Sequence, residues 1–499
     1  MMPAPSGSDI VVVSDLHMSV GYDARSGTFH RNEDFFYDDA LGRFLDHLIT
    51  QGHDESRTWR LVILGDVVDF LQVVLTDEPG AGATSSEASV ERLRRIATGH
   101  PRFFAALARF LRAGHHIDVV FGNHDIELVW PAVQAEFRRA VAEHGIGDAD
   151  LDERIDFHPW ILYIPSVLYA EHGQQYDSIN SLATVIRPFL PDQAALIELP
   201  LGSFFVRYMF NYMEDIDPFA DNVKPPTRYI GWVLRNHPVL ALTSTYKYAQ
   251  LFVRSLPKTS KLSTDEQHTR RDRYRREVLD LASREIGLPA STLAAIDELA
   301  AIPALSSKRR QLQALVLKPL LPVVAVAAAA FGLNRVVRHL PERARWWTRA
   351  AGALTALVWR ERQLLRPAID TSDYLLTAAR NINALLKESG HQVPVYVFGH
   401  THKAAQALLD DDDASQRYFN TGTWTPIVPE AFSLLSAREL FTFVQMTHDS
   451  STGETVSRLL LWNDASGRAE PLPLLSEGEP RPPSMVTAAR EKVSEMLGI

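Results

Sequence analysis

Four short runs of apolar, mostly β-branched residues are followed within two residues by glycine or by side chains that can bind a metal. Continuous apolar runs of this length predict buried strands that end in tight turns. Polar side chains that follow such strands gather beyond the strand ends, where open α/β sheets usually build their sites. The runs are residues 10–13, 61–64, 117–121 and 393–398.

Helical periodicity lies between these predicted strands. Apolar positions recur every three or four residues, which is typical of an amphipathic helix with one buried face. Alternation of strands and helices predicts an α/β protein, and residues 154–172 and 391–462 again carry short β-type runs. The predicted helices are residues 34–50, 88–96, 102–113 and 131–144.

A long segment of different character interrupts this pattern. Residues 178–390 are rich in helix formers and are broken by prolines, so we predict a mostly helical insert or cap domain. The rest divides into a discontinuous α/β domain and a polar, Pro-rich tail. The predicted boundaries are residues 1–177 and 391–465 for the α/β domain, 178–390 for the insert, and 466–499 for a linker with a terminal helix.

Composition excludes several classes of site. The chain of 499 residues is too long for one core of typical size, and 46% hydrophobic with 22% charged residues is typical of a globular protein. Cysteine is absent, which excludes disulfides, thiolate zinc sites and iron–sulfur clusters. The N-terminal residues lack a basic stretch followed by an apolar run, so we expect no secretory signal and a cytoplasmic protein.

Charge is distributed unevenly along the chain. The formal net charge is −10, which argues against broad nucleic-acid binding. Residues 178–390, however, contain 29 Lys and Arg against 19 Asp and Glu, whereas the remainder contains 22 against 42. The insert is therefore basic and the α/β part is strongly acidic.

Five short motifs supply carboxylate, imidazole and amide groups, the ligands that a two-metal hydrolytic site needs. Two of them space their ligands at i and i+2, which puts both side chains on one face of an ideal strand. The motifs are Asp15-Leu16-His17, Gly65-Asp66, Gly122-Asn123-His124-Asp125, His172-Gly173 and Gly399-His400-Thr401-His402.

Each motif also has a simple structural explanation. An Asp after a strand is most often a turn residue or a helix cap, and Asn123 with Asp125 could form a polar turn. A lone histidine such as His172 is more often a core residue than a ligand. These explanations are independent, and all of them would have to hold at once. The whole set therefore predicts metal chemistry more strongly than any single motif does.

In this order, the motifs resemble the signature of the metallophosphoesterase (calcineurin-like phosphoesterase) superfamily. The resemblance covers roughly residues 9–177 and 391–462, includes Asp69 after Gly65-Asp66, and departs from the pattern where Glu171 replaces a glycine before His172. It implies an α/β fold, a four-layer αββα sandwich of two mixed sheets with a large, mostly helical insert. It also implies an enzyme, a metal-dependent phosphoric ester hydrolase.

The resemblance further implies a role for each motif residue. The first metal ion would be bound by Asp15, His17, Asp66 and His402, and the second by Asp66, Asn123, His172 and His400. Asp66 would bridge the two ions, and a hydroxide held between them would attack phosphorus. His124 would be the catalytic histidine, oriented by Asp125, and both Asn123 and His124 would contact the substrate.

The motifs do not determine which metal ions bind or which substrate is hydrolysed. The ligand set suits two divalent ions, with manganese the first choice and iron, zinc or nickel as alternatives. The substrate could be a phosphomonoester, phosphodiester or pyrophosphate on a small molecule. The basic insert contains an uncharged run, residues 319–333. A buried helical hairpin is the simpler explanation of this run, and the alternative is an apolar surface that favours a lipid-linked substrate or peripheral membrane contact.

A second hypothesis is a non-catalytic binding or scaffold protein on the same fold, associated with a membrane surface through the insert. Such a protein would be expected to lack some metal ligands, and no ligand position is missing here. Metal content and phosphatase activity of the purified protein discriminate between the two hypotheses.

Overall fold

The computed structural model describes residues 9–75, 84–190, 193–208, 211, 264–304, 373–410, 413–425, 441–448 and 455–472. Within these ranges the chain is an α/β protein with two mixed sheets and flanking helices. The helices are α1 (Asp38–Asp54), α2 (Ser86–Gly99), α3 (Pro101–Arg112), α4 (Pro131–Ala142), α5 (Asp148–Arg154), α6 (Leu201–Tyr208), α7 (Thr264–Ile286), α8 (Ala290–Leu299) and α9 (Tyr374–Glu388).

The larger sheet has seven strands. They are β1 (Asp9–Val13), β4 (Trp59–Leu64), β5 (His116–Val120), β6 (Ile155–His158), β14 (Thr442–His448), β15 (Thr455–Asn463) and β16 (Arg468–Pro471). Their order across the sheet is β16-β15-β14-β1-β4-β5-β6. Strands β1, β4, β5 and β6 are parallel, whereas β14 pairs with β1 in the antiparallel direction.

The smaller sheet has five strands in the order β12-β13-β11-β8-β7. They are β7 (Ile161–Ile164), β8 (Leu168–Glu171), β11 (Val395–Phe398), β12 (Ala405–Asp410) and β13 (Asp413–Asn420). Strand β11 lies parallel to both β8 and β13. Two short ribbons, β2 (Tyr22–Asp23) with β3 (Thr28–Phe29) and β9 (Phe189–Leu190) with β10 (Gln193–Ile197), lie outside the main sheets.

The strands predicted before the motifs are confirmed as β1, β4, β5 and β11. In the larger sheet, alternate residues of a strand enter different cores. Val11 packs with helices α1 to α4, whereas its neighbour Val12 packs against the smaller sheet through residues such as Ala170 and Val397. Burial on both faces explains why these strands are continuous apolar runs in the sequence.

A third core lies on the other face of the smaller sheet. Strand residues such as Tyr169 and Phe398 share this core with side chains of α7, α8 and α9. These helices come from residues 178–390, the predicted insert. They therefore share a core with strands of the predicted α/β domain. The predicted apolar run at residues 319–333 lies outside the described residues.

The C-terminal boundary also differs from the prediction. Residues 466–483 were expected to form a linker, but β16 begins at Arg468 and pairs with β15. A turn between Asn463 and Gly467 makes this hairpin, and Gly467 has a positive φ of 63° that favours glycine. The predicted terminal helix lies outside the described residues. Among the helices that the structure describes, none is both long enough and apolar enough to cross a membrane.

Candidate metal centre

The motif residues follow the carboxyl ends of β1, β4, β5, β8 and β11. Seven described residues other than glycine have positive φ, and five of these are predicted metal ligands. They are Asp15, His17, Asp66, His400 and His402, with φ between 52° and 68°. This conformation costs about 1–2 kcal/mol for an L-residue, and such strain clusters at functional sites. The surrounding fold must therefore hold these five residues in place.

Backbone hydrogen bonds between neighbouring loops supply that restraint. The N–H of Asp15 donates to the carbonyl of Gly65 at 3.1 Å, and the N–H of His17 donates to the carbonyl of Asp66 at 2.9 Å. The N–H of Gly399 donates to the carbonyl of His172 at 3.0 Å, which joins the two histidine motifs of the smaller sheet. The loops thus extend the strand pairing beyond the sheets.

One group of candidate ligands contains Asp15, His17 and His402. The Nε2 atoms of His17 and His402 lie 3.0 Å apart, and Nε2 of His402 lies 3.2 Å from Oδ1 of Asp15. Ligand atoms that each sit about 2.1 Å from one ion are separated by roughly 3 Å, so this group could hold a single ion. Its members come from both sheets.

A second group contains Asp66, His172 and His400. Nε2 of His172 lies 3.1 Å from Oδ2 of Asp66, and its Nδ1 contacts the carbonyl oxygen of Leu64 at 2.8 Å. Donation from Nδ1–H to that carbonyl leaves Nε2 as the nitrogen with a free lone pair, as in many metal-bound histidines. Oδ2 of Asp66 is also 3.8 Å from Nε2 of His17, so Asp66 lies between the two groups.

Asn123 completes the predicted set. The residues on either side of Asn123 lie close to Asp66. The N–H of His124 donates to Oδ1 of Asp66 at 2.8 Å, and a Cβ placed on Gly122 would lie 2.1 Å from the same oxygen. Oδ1 of Asn123, Oδ1 of Asp15 and Nε2 of His172 are buried and make no hydrogen bond in the described part of the chain. Buried polar atoms that make no hydrogen bond are costly, and metal coordination would satisfy all three. The residues therefore fit a pair of divalent ions.

Close packing explains the glycines of two motifs. A Cβ on Gly65 would lie 2.3 Å from Nδ1 of His172, and Gly65 has a positive φ of 83°. Any side chain at Gly65 or Gly122 would collide with a candidate ligand. These glycines allow ligands from neighbouring strands to approach one another.

The prediction that Asp125 orients His124 is wrong. Nδ1 of His124 contacts Oδ2 of Asp69 at 2.5 Å. The Asp125 carboxylate instead accepts the backbone N–H groups of Gly122 and Val67, at 2.6 Å and 2.8 Å. Asp125 thus fixes the loop that carries Asn123 and His124, and Asp69, 55 residues earlier in the chain, holds the imidazole.

Electrostatics follow from this crowding of charge. Burial alone would lower the pKa of His124, but the carboxylates of Asp69 and Asp66 raise it overall. Burial alone would raise the pKa of Asp66, but the nearby His172 and His124 hold it well below its usual range. Burial and the neighbouring Asp66 raise the pKa of Asp125 to about 7. The site thus favours ionised Asp66 and a protonated His124.

A turn of the smaller sheet, residues 420–423, supports Asp15, and the five motifs do not include it. The hydroxyl of Thr423 donates to the carbonyl of Asp15 at 2.7 Å, and the hydroxyl of Ser14 donates to the Asp15 carboxylate. Ser14 also contacts the hydroxyl of Thr421 at 2.5 Å. These residues are about 400 positions apart, and only the three-dimensional fold reveals the pairing.

No protein-family model matches the chain, and a search of curated proteins found no match. The case for function therefore depends on the residues and geometry described above.

Proposed function

We propose that the protein is a dinuclear metal-dependent phosphoesterase of the calcineurin-like type. One observation carries the proposal: candidate ligands from five separate chain segments converge at the ends of two sheets, and buried atoms of Asp15, Asn123 and His172 among them make no hydrogen bond in the described residues. A structural histidine or a turn aspartate would be expected to have its polar atoms satisfied by protein groups. The bound metals would be two divalent ions, with manganese the first to test.

Support for the finer fold proposal comes from the three cores. One core joins helices to the larger sheet, one contains residues of both sheets, and one joins the smaller sheet to α7, α8 and α9. Packed in this sequence, helices, sheet, sheet and helices would make the four-layer αββα sandwich that the motifs imply.

Each side chain has a role in the proposed hydrolysis. Two divalent ions, when bound, would supply Lewis acidity and a water of lowered pKa. Asp15, His17 and His402 would hold one ion, Asn123, His172 and His400 the other, and Asp66 would contact both. As the ester P–O bond breaks, His124 donates a proton to the leaving oxygen. Asp69 orients the imidazole of His124, and its negative charge favours the protonated form.

We infer that the substrate is a phosphomonoester, phosphodiester or pyrophosphate. Charge neutralisation by two ions suits any of these groups. The lipid-linked alternative and the peripheral membrane contact depend on residues 319–333, which lie outside the described residues.

A metal analysis combined with an activity assay tests the proposal. The purified full-length chain is expected to bind two manganese ions per chain and to hydrolyse a chromogenic phosphomonoester or diester. The control is the double variant Asp66→Asn with His400→Ala, which removes the shared carboxylate and one imidazole and should lose metal and turnover together. Absence of both bound metal and turnover in the parent protein would overturn the proposal in favour of the scaffold hypothesis.

A further inference from the structure

The chain immediately after the fourth motif returns towards the site. Asp177 lies five residues after His172, and its Oδ2 is 3.5 Å from Nε2 of His400. The same carboxylate accepts the N–H of Ile179 at 2.9 Å and the Nδ2 amide of Asn180 at 2.7 Å. A local turn therefore fixes the Asp177 carboxylate beside the imidazole of a candidate ligand.

The residue that departs from the motif pattern supports this turn. Glu171, in the position expected for glycine, is buried and its carboxylate accepts three hydrogen bonds. The donors are Nε1 of Trp160 at 2.9 Å, the hydroxyl of Tyr169 at 2.9 Å and the hydroxyl of Tyr176 at 2.6 Å. Tyr176 directly precedes Asp177, so Glu171 anchors the beginning of the turn.

We propose that Asp177 is a positioning residue for His400, and that Glu171, acting through Tyr176, holds Asp177 in place. Nε2–H of His400 donates to Asp177, so Nδ1 is the unprotonated nitrogen of the neutral ring. The carboxylate thus selects which ring nitrogen can bind the second metal ion. The inference rests on the proposed dinuclear centre, and neither motif spacing nor composition assigns a role to Asp177.

The consequence is selective for one of the two metal positions. Carboxylates behind metal-bound histidines typically change metal affinity by roughly 10–100-fold when they are removed. Loss of Asp177 should weaken the ion that His400 binds. Asp177 lies beside His400, whereas Asp15, His17 and His402 would hold the other ion, so that ion should remain.

Electron paramagnetic resonance of Mn²⁺ in the full-length protein distinguishes a protein that holds both ions from one that holds a single ion. The parent protein with two equivalents of Mn²⁺ should give the signal of a spin-coupled pair. Asp177→Ala should give the six-line signal of isolated Mn²⁺ at the same loading. Recovery of the coupled signal should require at least roughly tenfold more Mn²⁺. The comparison is Asn180→Ala, which removes one hydrogen bond to Oδ2 of Asp177 but keeps the carboxylate, and it should weaken the coupled pair less than Asp177→Ala does.

A matched tyrosine pair tests the role of Glu171. Tyr169 and Tyr176 both donate to Glu171, but only Tyr176 adjoins Asp177. Tyr176→Phe should weaken the second ion, whereas Tyr169→Phe should leave it unchanged. Equal effects of the two variants would overturn the role of Glu171 in holding Asp177.

The outcomes also separate this inference from the proposed function. A parent protein that never gives a coupled pair contradicts the dinuclear centre itself. A coupled pair in Asp177→Ala with parental Mn²⁺ affinity overturns only the role of Asp177. Equal loss in Asp177→Ala and Asn180→Ala would also overturn it, because the turn and not the carboxylate would then be responsible. Circular dichroism of the metal-free variants shows whether each has folded.

Discussion

At the scale of single residues, Asp69 and Asp125 have different roles beside His124, and the sequence alone does not distinguish them. One carboxylate oxygen of Asp69 contacts the imidazole of His124 and the other accepts backbone N–H groups, whereas both oxygens of Asp125 accept backbone N–H groups. A carboxylate on an imidazole sets its orientation and protonation. A carboxylate on backbone N–H groups fixes a loop. The two residues should therefore fail differently when they are changed.

Replacement of His124 by alanine should reduce turnover according to the leaving group. An alkyl phosphate leaves as a strongly basic alkoxide and needs the proton from His124, so kcat should fall by roughly 10²–10⁴-fold. A nitrophenyl phosphate leaves as a weakly basic phenolate and should be affected much less. Steady-state kinetics on both substrates, with metal content measured in parallel, test this expectation.

The Asp69→Asn variant supplies the control for His124. Asp69 also lies 3.6 Å from Nδ1 of His17, so the variants are compared at equal metal content. If Asp69 then acts through His124, the Asp69→Asn, His124→Ala double variant should be no slower than His124→Ala alone. Asp125→Asn should instead lower thermal stability, since its amide nitrogen cannot accept a backbone N–H. Parental activity of His124→Ala on the alkyl phosphate would contradict the proposed proton transfer.

The sequence predicted the strands that precede the candidate ligands, because apolar β-branched runs and the residues after them are local signals. The partner of His124 was assigned incorrectly, because Asp125 is adjacent in sequence while Asp69 is adjacent in space. The hydrogen bond from the Thr423 hydroxyl to the carbonyl of Asp15 was not predicted, for the same reason. Through-space contacts between segments far apart in the chain leave no periodic pattern in the sequence.

At the scale of elements, the loops after β4 and β5 depend on glycine for close approach. Gly65 combines a positive φ with a Cβ position that is 2.3 Å from His172. Gly114, at the end of α3, also has a positive φ of 92°, but a Cβ there would meet nothing within 4 Å. A comparison of Gly65 with Gly114 therefore separates the cost of backbone strain from the effect of displacing a candidate ligand.

We expect Gly65→Ala to lose metal binding and Gly114→Ala to retain it. Each variant should lose about 1–2 kcal/mol of unfolding free energy from the left-handed backbone alone. Gly65→Ala should lose more, because His172 or the strand must move. Urea unfolding and metal analysis of both variants provide the measurement. Full metal occupancy in Gly65→Ala would contradict the described packing.

His100 links two elements beside the site through buried charge. Its Nδ1 lies 2.8 Å from Oδ1 of Asp38, and its Nε2 lies 3.3 Å from Oε2 of Glu33. Glu33 also accepts the backbone N–H groups of Ser19 and Gly21, which follow the first motif. Burial alone would lower the pKa of His100, but Asp38 and Glu33 raise it to about 9.

This raised pKa predicts a pH-dependent contribution to stability. The unfolded histidine has a pKa of about 6.5, so the charged form stabilises the fold fully below about pH 6.5 and less as the pH rises to 9. The contribution is at most about 3 kcal/mol. The difference in unfolding free energy between the parent protein and His100→Asn should shrink between pH 6.5 and 9. A constant difference over that range would contradict a charged His100.

At the scale of the whole molecule, the candidate ligands divide between the two sheets. Asp15, His17, Asp66 and Asn123 follow strands of the larger sheet, whereas His172, His400 and His402 follow strands of the smaller one. Of the three groups of candidate ligands among the described residues, two contain members from both sheets, and the third, His17 with Asp66 and His124, belongs to the larger sheet. Bound metals would therefore join the sheets at one end of the core that lies between them.

Removal of metal should then lower the stability of the whole described fold and not only the order of one loop. A ligand that binds only the native state at 100 times its dissociation constant adds about 2.7 kcal/mol of stability. Chelation should lower Tm by several degrees, and added Mn²⁺ should restore it. Calorimetry with and without EDTA measures the shift, and the Asp66→Asn, His400→Ala double variant should respond to neither treatment. An unchanged Tm after complete metal removal would mean that the metals do not join the sheets, because the stability of a fold tied through both ions cannot be independent of them.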